Sequence, residues 1–230
     1  MVLKTFGCSL TYGSELKDYK LAWPYVLGEK LNLPVKNYGS PGASNDQIIE
    51  SALLNCPKSN SSDLIIFLTT HWDRVYWPID PTMPLWKAMH DENNRIIQGN
   101  TGYSSGNYRT LDFKDGEIKM PLLYSFMESK GNFNSKAYTH YLKDHCYKEQ
   151  VMQRNDFLFN TCKELLNYRG HDVYVFHSYR SDTLSDDLSL YDVAKDSPRG
   201  PKGHWLEEGN KLWADYIYKI VLLNTKINRT

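Results

Sequence analysis

The sequence predicts an α/β protein built on an open parallel sheet covered by helices on both sides, and three observations lead there. Short apolar runs alternate along the chain with segments of helical spacing. The run "DLIIFLTT" from Asp63 is continuously apolar between polar neighbours, which suits a strand buried on both faces. Small-residue turns follow the first two strand candidates, where such sheets pass from strand to helix and gather ligands.

In chain order, Val2 to Gly7 reads as a short strand ending in small residues. "AWPYVLGEKLN" from Ala22 has helical spacing, with Pro24 placed near a helix start. Val35 to Tyr38 gives a second strand, and the turn "GSPGASN" follows it. A helix then begins near Asn45 or Asp46 and carries Ile48, Ile49, Ala52 and Leu53 on one face. "DLIIFLTT" is the third strand. From about residue 72 to 135 the regular period lapses into Trp, Tyr, Pro, Gly and Asn, and this stretch reads as an insertion. Within it a hairpin is expected around "LDFKDGEIKM", turning at Asp115-Gly116. Helical character returns near Lys136 and is strongest from Glu149 to Tyr168, with Gly170 as the stop. "HDVYVFHS" is a fourth strand, and "SLYDVA" a fifth and weaker one. The closing segment from His204 is a helix whose broad face carries Leu206, Leu212, Trp213, Tyr216, Ile217 and Ile220.

A chain of 230 residues with 41% hydrophobic content fits a single domain, residues 1–230, interrupted by that insertion. Lys and Arg total 27 against 27 Asp and Glu, and no basic run stands out, so neither nucleic acid nor an anionic membrane is an expected partner. The four cysteines, Cys8, Cys56, Cys146 and Cys162, are scattered, without metal-ligand spacing, as in a reduced protein. The start lacks a signal-peptide pattern and no apolar run reaches membrane-spanning length, so a cytoplasmic location is expected. Oligomeric state is not legible.

Three segments carry chemical interest. In "FGCSLTYG", Ser9 follows a strand end and can expose its hydroxyl at the carboxyl edge of the sheet, with its own N–H facing a developing oxyanion. In "NYGSPGASND", glycines let the backbone approach a ligand closely; no G-K-[ST] follows, so this is no phosphate loop. In "GHWLEEGNKLWADYI", His204 stands at the start of the closing helix, free to face a cleft. The bland alternatives are a helix-capping serine, an ordinary tight turn and a solvated histidine.

Taken in this order, the three segments resemble the blocks of the SGNH (GDSL-like) esterases and lipases. The resemblance implies a flavodoxin-like three-layer α/β/α sandwich and hydrolysis of small esters or acylated sugars, with no cofactor or metal; the aromatic insertion makes O-acetyl groups on a carbohydrate the preferred substrate. The resemblance also implies Ser9 as nucleophile, His204 as base and the N–H of Gly42 as an oxyanion donor. The aromatic insertion, with Trp72, Trp77, Trp86, Tyr103 and Tyr108, is a candidate lid or sugar platform.

The chain departs from the family pattern in three places. "GDS" has become "GCS" at Cys8. The block that normally supplies an oxyanion-binding Asn reads "LTTHWDR", which leaves Thr70 or His71 as donor and is similar to phage-type members. Pro201 occupies the place of the Asp that would orient the base, so Asp196, less readily Asp192, or a backbone carbonyl must serve instead. The competing expectation is a catalytically degraded module of this fold that binds glycan or protein.

Overall fold

The computed structural model describes residues 1–58, 62–71, 148–179 and 188–224, together with the backbone of four short strands at 77–78, 110–113, 116–119 and 122–123. Its main sheet is parallel and contains β1 (Leu3–Phe6), β2 (Val35–Asn37), β3 (Leu64–Leu68) and β8 (Asp172–Phe176), in the order β2-β1-β3-β8. Leu3 pairs with both Val35 and Leu64, and Leu64 with Asp172, so the four strands start nearly level. Strand order reverses between β1 and β3, and the carboxyl ends on either side of that point are where an open sheet offers a crevice.

Side-chain alternation along the strands divides the interior in two. Leu3, Leu64, Ile66 and Leu68 face one cluster, which is completed by α2 (Trp23–Leu31) and the closing helix α6 (Glu207–Asn224) through Trp23, Leu27, Trp213, Ile217 and Val221. Phe6, Ile65, Phe67 and Val173 face the other, with Ile48 and Ala52 of α3 (Asn45–Asn55) and Phe159, Cys162 and Leu166 of α4 (Lys148–Tyr168). All five residues of β3 are buried, as its continuous apolar run requires. The result is a three-layer α/β/α sandwich, and each fully buried large side chain contributes about 1.5–3 kcal/mol.

Local chemistry explains most element ends. Ser44 and Gln47 form a capping box at the start of α3. Gly170, at φ +94°, closes α4 with paired bonds from its own N–H to Asn167 O and from His171 N to Leu166 O. The hairpin expected in the insertion is present as β5 (Thr110–Phe113) and β6 (Gly116–Lys119). Phe113 pairs with Gly116, so Gly116 belongs to the second strand. Trp77–Pro78 (β4) pairs with Leu122–Leu123 (β7) and brings two distant parts of the insertion together.

Two expectations are corrected. "SLYDVA" is not a strand: Leu190–Ala194 is a short helix, α5. Its cause is a capping box, in which Ser189 N donates to Asp192 Oδ2 (2.9 Å) and Asp192 N to Ser189 Oγ (3.2 Å). The closing helix begins at Glu207, so His204 lies in the loop before it. The buried stripe of α6 runs through Asn210, Trp213, Ala214, Ile217 and Val221, while Leu212 is 41% exposed. Asn210 sets this phase by accepting from Trp23 N (3.0 Å) and donating to Trp205 O (2.8 Å), which locks the helix start against α2. The helical stretch expected from Lys136 to residue 147, and the aromatic residues Trp72, Trp86, Tyr103 and Tyr108, lie outside the described residues.

Candidate active site

The site begins where β1 runs out. Gly7 is followed by Cys8, whose extended backbone caps α1 (Ser9–Tyr12). A side chain at Gly7 would stand 2.0 Å from Thr11 Oγ1 and 3.0 Å from Leu68 O, so only glycine lets α1 fold back this tightly. Cys8 packs into the apolar cluster with Phe6, Ala43 and Ile48. Ser9, on the first turn of α1, borders a small recess shared with Leu190, His204, Trp205 and Asn210. Among the described residues its hydroxyl has one hydrogen-bond contact, to Cys8 Sγ at 4.0 Å, and no bond joins it to His204.

The turn after β2 is docked onto α1. Asn37 Oδ1 accepts from Gly39 N (2.8 Å), and Asn37 Nδ2 donates to Thr11 O (2.8 Å). Ser40 N donates to Gly7 O (2.9 Å), which pins the turn to the end of β1. Ser40-Pro41-Gly42-Ala43 then forms a turn closed by Ala43 N to Ser40 O (3.0 Å), with Gly42 at φ +78°. Proline second and a left-handed glycine third are the demands of a type II turn. Gly42 is therefore held beside the β1–α1 junction, though it does not line the recess.

Thr70 and His71 follow β3. Asn45 grips Thr70 from both sides: Thr70 N donates to Asn45 Oδ1 (2.9 Å), and Asn45 Nδ2 donates to Thr70 O (3.2 Å). The Thr70 N–H is thus already engaged, and the residue is only 2% exposed. The His71 ring stacks on Tyr179 with centroids 4.2 Å apart. Neither lines the recess beside Ser9.

His204 has a carboxylate partner, and it is Glu15 rather than Asp196. Asp196 is exposed and Asp192 is occupied in its capping box. His204 Nδ1 stands 2.6 Å from Glu15 Oε2, which also accepts from His204 N (3.1 Å), while Glu15 Oε1 accepts from Lys202 N (2.8 Å). Burial would raise the Glu15 carboxyl, but the hydrogen bonds from Lys202 N, the His204 ring and His204 N outweigh it and leave the group below its ordinary value. An ionised carboxylate only accepts, so Nδ1 is the ring nitrogen that donates across this contact, and Nε2 is the one placed to act as base.

The geometry around Glu15 is built for this contact. Its backbone lies in the left-handed region at φ +70°, a conformation that costs a non-glycine residue about 1–3 kcal/mol. Pro201 occupies the turn Gly200–His204, closed by Gly200 N to His204 O (2.8 Å). A Cβ on Gly200 would meet Glu15 Oε1 at 2.7 Å, so the carboxylate fits because that position is glycine. Beyond His204, Trp205 joins Tyr191 and Tyr179 in an aromatic group, and the Arg199 guanidinium lies 4.4 Å over the Trp205 ring.

No protein-family model and no curated protein matches the chain. Two solved structures superpose over almost its whole length. One is a protein assigned to the lipolytic G-D-S-L family from Desulfitobacterium hafniense DCB-2, with 12% identity, TM-score 0.38, and 95% of this chain and 98% of that chain covered. The other is a member of the lipolytic protein G-D-S-L family from Veillonella parvula DSM 2008, with 13% identity, TM-score 0.39, and 98% and 100% covered. Neither supports the phage-type expectation. At such scores the functional assignment stands on this chain's own side chains. No described helix is long and apolar enough to cross a membrane.

Proposed function

We propose that the chain is a serine esterase that cleaves small esters, with carbohydrate O-acetyl groups as the preferred substrate. The observation that carries this is the convergence of Ser9 and His204, from opposite ends of the sequence, on one recess at the carboxyl edge of β1. In the reaction, His204 Nε2 takes the Ser9 proton as Oγ attacks the ester carbonyl. The Ser9 N–H, on the first turn of α1 and so without an intrahelical acceptor, faces the oxyanion together with the Gly42 N–H. Because Asn45 engages the Thr70 N–H, the third donor in this reading is a side chain, the Thr70 hydroxyl or the His71 ring. His204 then protonates the departing alcohol, and water, deprotonated by the same imidazole, releases the acid and restores Ser9.

The rings of His71, Tyr179 and Tyr191, packed around the buried Trp205, favour a substrate with a ring to pack, such as a sugar. The Ser9 hydroxyl directed at Cys8 Sγ is the observation on the side of a degraded binding module. Catalytic hydrogen bonds are often long in unliganded enzymes and tighten on substrate binding. The test is hydrolysis of p-nitrophenyl acetate together with fluorophosphonate labelling. Ser9→Ala and His204→Ala should each reduce turnover by about 10³-fold or more and abolish labelling. Turnover indifferent to both substitutions overturns the proposal.

A further inference from the structure

The acid that steadies the base has moved from the loop before His204 to the segment after the nucleophile: we infer that Glu15 is the positioning residue of a Ser9–His204–Glu15 triad. The inference rests on the esterase reading and deepens it. Four independent features of the fold converge on it. The 2.6 Å contact reaches Nδ1, the nitrogen that must be occupied if Nε2 is to act as base. The same carboxylate takes the backbone N–H groups of Lys202 and His204, so it fixes both the ring and the main chain that carries it. Glu15 adopts a left-handed backbone that its type disfavours, as happens where a side chain must be aimed. Gly200 is bare where a side chain would displace the carboxylate.

The geometry also explains how Pro201 is tolerated. A family-type acid would sit at that position, but here the turn is shaped around an incoming side chain instead. Among the described residues, Glu15 is the one charged group in contact with the His204 ring. Ser9 and Glu15 are joined through α1 and its glycine cap, Gly13, at φ +88°. Nucleophile and acid therefore travel on one short segment, and the base comes to them.

The test compares wild type, Glu15→Gln and Glu15→Asp in the full chain, with Ser9→Ala and His204→Ala as references. Glu15→Gln keeps one oxygen, which can serve one of the two backbone donors, and removes the charge, and kcat/KM for p-nitrophenyl acetate should fall by about 10²- to 10⁴-fold. Removing an adjacent negative charge disfavours the imidazolium, so the acid limb of the pH–rate profile should move to lower pH. Glu15→Asp should recover part of the rate and return the limb towards wild type. In the NMR spectrum of wild type, a His204 Nδ1 proton should resonate far downfield and disappear in Glu15→Gln. A Glu15→Gln rate within about fivefold of wild type, with an unmoved limb, overturns the role of Glu15 while leaving the esterase intact. Turnover that survives Ser9→Ala or His204→Ala, or a wild type with no Ser9-dependent turnover or labelling, overturns the esterase proposal and the triad with it.

Discussion

Gly200→Ala separates the position of the Glu15 carboxylate from its presence. The added Cβ would stand 2.7 Å from Oε1 and 2.8 Å from Cδ of Glu15, where ordinary contacts begin at 3.4 Å. The carboxylate must therefore withdraw by about 0.7 Å (3.4 − 2.7), and it is the flexible partner, so it is the group that yields. Such a displacement lengthens the 2.6 Å bond to His204 Nδ1 to as much as about 3.3 Å (2.6 + 0.7), the weak end of the hydrogen-bonding range. Misplacement of a catalytic array by about 1 Å costs on the order of 100-fold, so kcat should fall by roughly 10- to 100-fold. Stability should fall by at most about 4 kcal/mol, since three bonds to the carboxylate are weakened. Weakened hydrogen bonds cost about 0.5–1.5 kcal/mol each, and the Gly→Ala exchange returns about 0.4–1 kcal/mol through the unfolded chain. The assay pairs p-nitrophenyl acetate kinetics with thermal melts followed by circular dichroism. The combination with Glu15→Gln should be no slower than Glu15→Gln alone, because both act through one contact. A single variant with unaltered kcat, or a double variant whose losses multiply, would refute the steric argument.

Two further predictions concern the frame that holds the site. Lys4 Nζ, 2.9 Å from Asp63 Oδ2 and also donating to Asn55 O, is largely buried, so Lys4→Met should strand a carboxylate and cost about 3–5 kcal/mol in urea unfolding. Burial pushes Asp63 up, but the bonds from Lys4 and Val2 N prevail and lower it. A lowered carboxyl stabilises the fold above the ordinary aspartate range and loses that contribution as pH falls below about 4, so Lys4→Met should also move acid unfolding to higher pH. Asn45→Ala should leave Thr70 N–H and C=O unpaired in a buried place, at about 1–3 kcal/mol for each group, measured by denaturant midpoint.

The sheet was legible because its strands are short apolar runs with polar ends, and burial leaves such runs few alternatives. β3 is the clearest instance, buried on both faces as a central parallel strand must be. The five residues Leu190–Ala194 were misread because so short an apolar run fits either period, and the deciding signal was the Ser189…Asp192 capping pair. On α6 the face through Trp213, Tyr216, Ile217 and Ile220 was legible, while Leu212 was misplaced because it looks as apolar as the buried Val221, and the bonds of Asn210 choose between them. At the site, Ser9 and His204 were visible as chemistry placed next to predicted element ends. Glu15 was not, since nothing in "YGSELKD" marks it and its role exists only once the 200–204 turn lies against it. Pro201 carried the available hint, because a residue unable to orient an imidazole implies that another one does.

The Gly13 cap has a consequence for assembly. It reverses the chain at once after α1, so the spacing between hydroxyl and carboxylate is fixed by a few local torsions. Completion of the machinery then needs one long-range docking step, the seating of the C-terminal turn on that hook. Because α6 also completes the core around Trp23 and Leu27, displacement of the closing helix would take away the imidazole together with that packing.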